Sequence, residues 1–316
     1  MTKRIGIDVG GTNVKIALVD ENGKIIYSNS VPTYAQMGYE YTVNNIKQAI
    51  RDLMKETNTE SKDIQGIGFD FPGQVDYKTG VVKLAPNIPG WVNVPIAQMI
   101  EDEFHIPTRI DNDVRCAALG ELKFGAGKGC ENFVCITVGT GIGSGLVING
   151  QLVRGAANAA GEIGHIKLQM HGGPICGCGD TGCLEAFASG PSIVAMAVDY
   201  LKSGKSAKFR EMAGVDGEIT PYIVAKAAEA GDPVAKRIYE IMGEYIGMGL
   251  VSVINLLNPE KVIIGGGVAE SGDLLLAPIR KTIKERAMVI AGESVEIVPA
   301  QLGNSAGVIG ASMLVE

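Results

Sequence analysis

The sequence predicts an α/β protein of two domains built to one plan. A strand, a glycine turn, a second strand and an Asn-Gly turn occupy Ile5 to Tyr27, and the same order returns from Phe133 to Gly150. Around these meanders, short apolar runs alternate with segments of helical spacing, the pattern of an α/β fold. A chain of 316 residues, 46% of them hydrophobic, is long for one domain and apolar enough to bury a core in each of two.

The elements follow in order. Ile5 to Asp8 reads as a strand, Gly10-Gly11 as a turn, and Val14 to Val19 as a second strand. Asn22-Gly23 turns into Lys24 to Tyr27, a hairpin signal. Val43 to Met54 has helical spacing, and Ile64 to Phe71 is a buried strand ending at Pro72-Gly73. Ile96 to Phe104 is a helix, Thr108 to Asp111 a short strand, and Val114 to Phe124 a further helix. Phe133 to Val138, the turn Gly139-Thr140-Gly141, Ser144 to Ile148 and Asn149-Gly150 repeat the opening meander. A glycine- and cysteine-rich loop region runs from Arg154 to Cys183, and helices continue through Leu257. Lys261 to Ile264 is a strand ending in Gly265-Gly266-Gly267, Val295 to Pro299 the last strand, and Ser305 to Leu314 a closing helix.

Charge narrows the function. The net charge is −7, and the charged residues, 20% of the chain, are scattered rather than blocked. A nucleic-acid surface needs a basic stripe, so none is expected. No apolar signal region follows the basic residues at the start. The apolar stretch near Leu250 to Leu257 is interrupted by Ser252 and Asn255 and stopped by Pro259, too short to span a bilayer. A cytoplasmic protein without a membrane partner is expected.

Cys176, Cys178 and Cys183 crowd into one glycine-rich stretch, and His165 precedes them. In a reducing compartment such a cluster reads as a metal site before a disulfide framework. Thiolates exclude magnesium and calcium, and a Cys₃His set closes a tetrahedral shell, so a structural zinc is expected on His165, Cys176, Cys178 and Cys183. The plain alternative is three buried thiols and a surface histidine; His171 is the rival fourth ligand. Metal on one ring nitrogen of His165 leaves the other protonated and free to donate to a substrate oxygen. Cys116, Cys130 and Cys135 stand among apolar or small neighbours and read as packed thiols.

A loop that approaches phosphate needs exposed backbone N–H groups with no Cβ in the way. Asp8-Val9-Gly10-Gly11-Thr12-Asn13 and Gly139-Thr140-Gly141-Ile142-Gly143-Ser144-Gly145 both qualify, with Thr12 and Thr140 adding hydroxyls. Asp8, at a strand end, suits Mg²⁺ held through water. The plain reading of either loop alone is a tight hairpin; their recurrence in matching meanders favours phosphate binding. Competing motifs fail. Gly204-Lys205-Ser206 lacks the upstream glycine of a P-loop, with Asp199 in its place. Gly303-Asn304-Ser305-Ala306-Gly307 matches a nucleophile elbow, but that triad needs a later histidine and the histidines are at 105, 165 and 171.

Asn112-Asp113 follows a strand and precedes a helix. Either residue suits the N-cap, and Asp113 equally suits a general base on rigid scaffold. Glu162 and Glu185 are further carboxylates in glycine-rich surroundings. Asn87, in Pro86-Asn87-Ile88-Pro89-Gly90-Trp91, reads as a turn residue or a hydroxyl contact.

Together, Asp8-x-Gly10-Gly11-Thr12, Asn112-Asp113, Glu162-x-Gly164-His165 and Cys176-Gly-Cys178-Gly-x-x-Gly182-Cys183-x-Glu185 resemble the signatures of the ROK family, in order, over essentially the whole chain. The resemblance implies an actin-like (ribonuclease H-like) two-domain sugar-kinase fold with a cleft between the domains. The smaller N-terminal domain is expected over 1–115 plus 300–316, and the larger, with the zinc loop, over 116–299. The resemblance implies ATP, magnesium and a structural zinc, and a homodimer. Carried over, Asp113 is the base; Gly73, Asn87, Asn112, Glu162, His165 and Glu185 contact the sugar; Gly10 to Thr12, beside Asp8 and Asn13, and Gly139 to Gly141 hold phosphates; Gly265, Gly266 and Gly267 lie by the adenosine. The expected activity is phosphorylation of glucose at its 6-hydroxyl. N-acetylmannosamine, N-acetylglucosamine and fructose are the alternative substrates. A sugar-sensing regulator is the alternative of another class, disfavoured because the first phosphate loop begins at residue 8 and leaves no room for a helix-turn-helix ahead of it.

Overall fold

The structure is a computed structural model that describes residues 2–85, 88–204, 208–214 and 217–316. Pro86 and Asn87, and with Asn87 one expected sugar contact, lie outside the described residues; so do Lys205 and Ser206. The chain divides into two compact units. One comprises Met1–Gly129, Gly145–Ala160 and Gln301–Glu316; the other Cys130–Ser144 and Gly161–Ala300. The division after residue 115 drawn from the sequence would cut the helix Asp113–Phe124, whose packing against the helix Ala306–Ser312 keeps both in the first unit.

The strands of the first unit are β1 (Lys3–Val9), β2 (Asn13–Asp20), β3 (Ile25–Pro32), β4 (Ile64–Phe71), β5 (Gln74–Asp76), β6 (Val81–Leu84), β7 (Val92–Val94) and β8 (Thr108–Asn112). A five-stranded sheet takes the order β3-β2-β1-β4-β8. Its meander is antiparallel, while β1, β4 and β8 run parallel, with Asp8 opposite Asp70 and Asp70 opposite Asp111. β5, β6 and β7 form a small antiparallel sheet that the sequence did not announce.

The following strands are β9 (Phe133–Val138), β10 (Ile142–Ile148), β11 (Gln151–Val153), β12 (Lys261–Gly265) and β13 (Glu296–Pro299). They take the order β11-β10-β9-β12-β13, the order of the first sheet repeated, with β9, β12 and β13 parallel. The duplicated plan expected from the sequence is therefore present in strand order. The two Asn-Gly turns differ. Asn149 and Gly150 both have positive φ, 52° and 69°, as a two-residue hairpin requires. At Asn22-Gly23 only Gly23 does, at 77°, and Gly23 N–H donates to Asp20 O at 3.1 Å, so the loop is a three-residue turn with a bulge.

In the first unit one sheet face is covered by the amphipathic helix Tyr39–Glu56, which buries Val43, Ile46, Ile50 and Leu53, side chains one helical stripe apart. The helix Ala306–Ser312 lies so close to β1 and β4 that a Cβ on Gly6 would overlap the carbonyl of Val308, and one on Gly68 the carbonyl of Ala311. In the second unit the helix Pro233–Leu257 is long and apolar enough to cross a membrane by length and composition, yet it buries Ile238, Tyr239, Met242, Ile246, Leu250 and Ile254 as a core helix. Asp232 caps it, accepting from Val234 N at 2.8 Å and Ala235 N at 3.0 Å. The helix Asp273–Arg286 packs on it where Gly243 and Gly247 make room for Pro278 and Thr282.

Candidate active site

In the first unit, Asp8, Asp70 and Asn112-Asp113 stand at the carboxyl ends of the parallel strands β1, β4 and β8, the edge where α/β sheets bind ligands. The loop after β1 is pinned by Gly10 N–H donating to Asn13 O at 2.9 Å and Thr33 Oγ1 donating to Gly10 O at 2.6 Å, which leaves Gly11, Thr12 and Asn13 exposed. The loop after β4 brings Gly73 beside Asn112, whose Nδ2 donates to Gly73 O at 3.3 Å.

The helix cap falls to Asn112. Its Oδ1 accepts from Val114 N at 3.1 Å and Arg115 N at 3.4 Å, and its Nδ2 donates to Asp113 Oδ1 at 2.7 Å. Asp113 is thus the first helical residue, held in place by the residue that caps. Burial pushes its carboxyl up to about 6, and the charge of Asp8 adds to the rise; the Val114 N–H and the Asn112 amide pull against it. Near neutral pH the group is ionised yet basic enough to accept a hydroxyl proton.

Sequence reasoning missed three neighbours. Asp70 is 2% exposed, with no partner for Oδ1 among the described residues, and burial together with the charges of Asp8 and Asp113 holds its carboxyl well above the usual range. Its signal was a lone charge inside the apolar run Phe69-Asp70-Phe71. Asp111 is fully buried between two guanidinium groups: Arg115 Nε reaches Oδ1 and Arg154 Nε reaches Oδ2, each at 2.7 Å. Arg115 also donates to Asn158 O at 2.9 Å, so this ion triad ties residues 154–158 to the end of β8. The spacing of Asp111 and Arg115, four apart into a helix, was its only trace. Lys15 Nζ lies 3.3 Å from Asp8 Oδ2 and pulls against the burial that raises the Asp8 carboxyl.

In the second unit the loops Gly139-Thr140-Gly141 and Gly265-Gly266-Gly267 follow the adjacent parallel strands β9 and β12. Gly190 N–H donates to Gly139 O at 2.7 Å, and Val268 N–H to Val138 O at 3.1 Å. A Cβ on Gly139 or Gly267 would meet no atom within 4 Å, so packing does not require glycine at either place. Glu185 Oε2 accepts from Ile142 N at 2.9 Å and its carboxylate lies against Gly141, which ties this expected sugar contact to the glycine loop. Glu162 and His165 bracket a short turn in which His165 N–H donates to Glu162 O at 3.0 Å.

His165, Cys176, Cys178 and Cys183 each offer a ligand atom, all within 4.8 Å of one another; His171 is not in the group. Sulfurs bound tetrahedrally at about 2.3 Å stand about 3.8 Å apart. Cys178 Sγ and Cys183 Sγ are 3.8 Å apart, and Cys176 Sγ is 3.6 Å from His165 Nδ1, so the four fit a tetrahedral metal with Nδ1 as the histidine ligand. Cys116 and Cys135 are buried and Cys130 is half-buried.

A family model described as the ROK family matches residues 4–316. The chain belongs to the ROK family. This ROK protein is 38% identical to a glucokinase of Halalkalibacterium halodurans over 99% of its own length and 94% of the relative's. Its structure resembles that of a ROK family glucokinase from Streptomyces griseus in complex with glucose and AMPPNP, with a TM-score of 0.83, 35% identity, and 99% and 98% of the two chains covered. It is also 33% identical to a xylose repressor of Caldicellulosiruptor bescii over 98% of its own length and 77% of the repressor's. The actin-like sugar-kinase fold expected from the motifs is the fold of this ROK protein.

Proposed function

We propose that this chain is an ATP-dependent hexose kinase that converts glucose to glucose 6-phosphate, with Asp113 as general base. The observation that carries this is Asp113 itself: a carboxylate fixed by Asn112, raised to about 6, at the strand edge that also presents the Gly10–Thr12 loop. A sugar-sensing regulator needs to bind sugar but has no use for a base so tuned. The likeness to glucokinases over nearly the whole chain supports glucose over N-acetylmannosamine, N-acetylglucosamine or fructose.

In this reading Gly73, Asn87, Asn112, Glu162, His165 and Glu185 hold the sugar. Asp113 takes the proton of the 6-hydroxyl as that oxygen attacks the γ-phosphorus in line. His165 would hold the metal through Nδ1, which would leave Nε2 to donate to a sugar oxygen. Gly10, Gly11, Thr12 and Asn13, with Gly139, Thr140 and Gly141, hold the phosphates through backbone N–H groups and the threonine hydroxyls; Gly265 to Gly267 face the adenosine. Asp8 offers a hard oxygen that fits Mg²⁺ held through water, and the ion would supply neutralisation of charge on the phosphoryl oxygens. The tetrahedral thiolate set fits zinc, which would supply a rigid frame for His165. Most of the rate then comes from positioning and charge neutralisation.

We further propose a cytoplasmic homodimer; the exposed side chains of Leu256, Met288, Val289 and Ile290 in the second unit suit such contact. A coupled ADP-release assay with glucose, fructose, N-acetylglucosamine and N-acetylmannosamine tests the activity. Glucose should give the highest kcat/KM; no sugar-dependent ADP release would favour the regulator, and preference for another sugar would reassign the substrate.

A further inference from the structure

Lys167 sits opposite Cys183 in a short antiparallel bridge, where Leu168 N–H donates to Gly182 O at 2.9 Å and Leu184 N–H to Ile166 O at 3.0 Å. The pairing puts both side chains on one face. Lys167 Nζ reaches Cys183 Sγ at 2.9 Å, Thr181 O at 3.1 Å and Asp180 Oδ2 at 2.7 Å. An ammonium has three N–H donors, and each here has an acceptor.

A divalent ion with three thiolates and a neutral imidazole carries one net negative charge; of the three cysteines Cys176 and Cys183 are buried, Cys183 with no exposed surface. Cys178 is exposed and water can solvate it; Cys183 has no such help. Groups that hydrogen-bond a metal ligand fix its position and tune how tightly the metal is held. Asp180, whose side chain is 66% exposed, orients the lysine where water screens its own charge.

We infer that Lys167 is a positioning residue of the zinc centre: its ammonium hydrogen-bonds the buried Cys183 thiolate, offsets the charge of the Cys₃His set and slows loss of the metal. This rests on the zinc reading given above. It is a role for this chain's own lysine, not one of the ligand positions.

The test uses the purified full chain. Metal content of the unaltered protein comes first: about one zinc per chain is expected, and its lack overturns the zinc reading and this inference with it. Zinc transfer to a colorimetric chelator is then timed. Lys167→Met should release zinc at least about tenfold faster, and Lys167→Arg should restore most of the retention. With cobalt in place of zinc, Lys167→Met should move the thiolate-to-cobalt charge-transfer band to longer wavelength, because the sulfur lone pair loses its hydrogen bond. Lys167→Gln, which keeps an N–H donor without the charge, should fall between and serves if the methionine variant does not fold. Unchanged release in these variants overturns the inference. So does faster release with an unmoved cobalt band, which would make Lys167 a mere tether.

Discussion

Asn112 holds Asp113 from one residue away: its Nδ2 donates to Asp113 Oδ1 at 2.7 Å while its Oδ1 caps the helix that Asp113 begins. One amide side chain thereby does the capping and the orienting, and the Asp113 carboxylate is left free for the proposed base role. Asp113→Asn keeps an oxygen for the Asn112 amide but cannot take a proton. It should lower kcat at least about 10²-fold with the sugar KM little changed. Steady-state kinetics check this, and near-normal turnover removes Asp113 from the base role. In the unaltered enzyme kcat/KM should fall below a pH near 6, the value to which burial pushes Asp113.

Asp70 makes a pH-dependent cost. Its carboxyl is held well above the value in an unfolded chain, so the folded state keeps a proton that the unfolded state releases. The stability this confers is complete below about pH 4 and is lost as pH rises. Asp70→Asn does not titrate. Thermal melts should show Tm of the variant gaining on the unaltered protein as pH rises above about 4; parallel Tm curves would contradict it.

Cys178→Ser removes one of the four proposed metal ligands, the one whose sulfur stands 3.8 Å from that of Cys183. Elemental analysis should find the zinc lost, and limited proteolysis should cut between His165 and Cys183, where the loop has little core of its own. A full complement of zinc in the variant would refute the ligand assignment.

Two glycines should respond in opposite ways. Gly139→Ala meets no atom within 4 Å, so Tm should hold, while KM for ATP should rise at least about tenfold if the methyl stands at the proposed phosphate contact. Gly68→Ala would press on the carbonyl of Ala311, and overpacking of backbone on backbone should cost about 2–3 kcal/mol or more with KM for ATP unchanged in whatever folds. Melting curves and ATP titrations on both separate phosphate approach from packing.

The sequence carried the fold where local pattern and burial agree. Ile64–Phe71 and Phe133–Val138 have the bounds that their apolar runs predict, because strands buried on both faces are nearly continuous in apolar residues. β5 and β7 are three residues each, too short for any period to show. The helix Asp273–Arg286 was hidden by Pro278 in its interior and by its charged outer face. Within the candidate site, the grouping of His165 with Cys176, Cys178 and Cys183 was legible from cysteine spacing, and the place of Asn112-Asp113 at a helix start from the strand before it and the helix after it. Asp70 and Asp111 were not, because what matters about them is the neighbour across the sheet, and register between β1, β4 and β8 is set by tertiary packing.

The close seating of the helix Ala306–Ser312 against Gly6 and Gly68 has a consequence for biosynthesis. The first unit draws on Met1–Gly129, Gly145–Ala160 and Gln301–Glu316, whereas the second is complete once Ala300 has been made. On the ribosome β1 and β4 must therefore wait, without the helix Ala306–Ser312 against them, until that helix has been made. The second unit has the chance to fold first, and β1 and β4, made long before it, find their covering helix only afterwards.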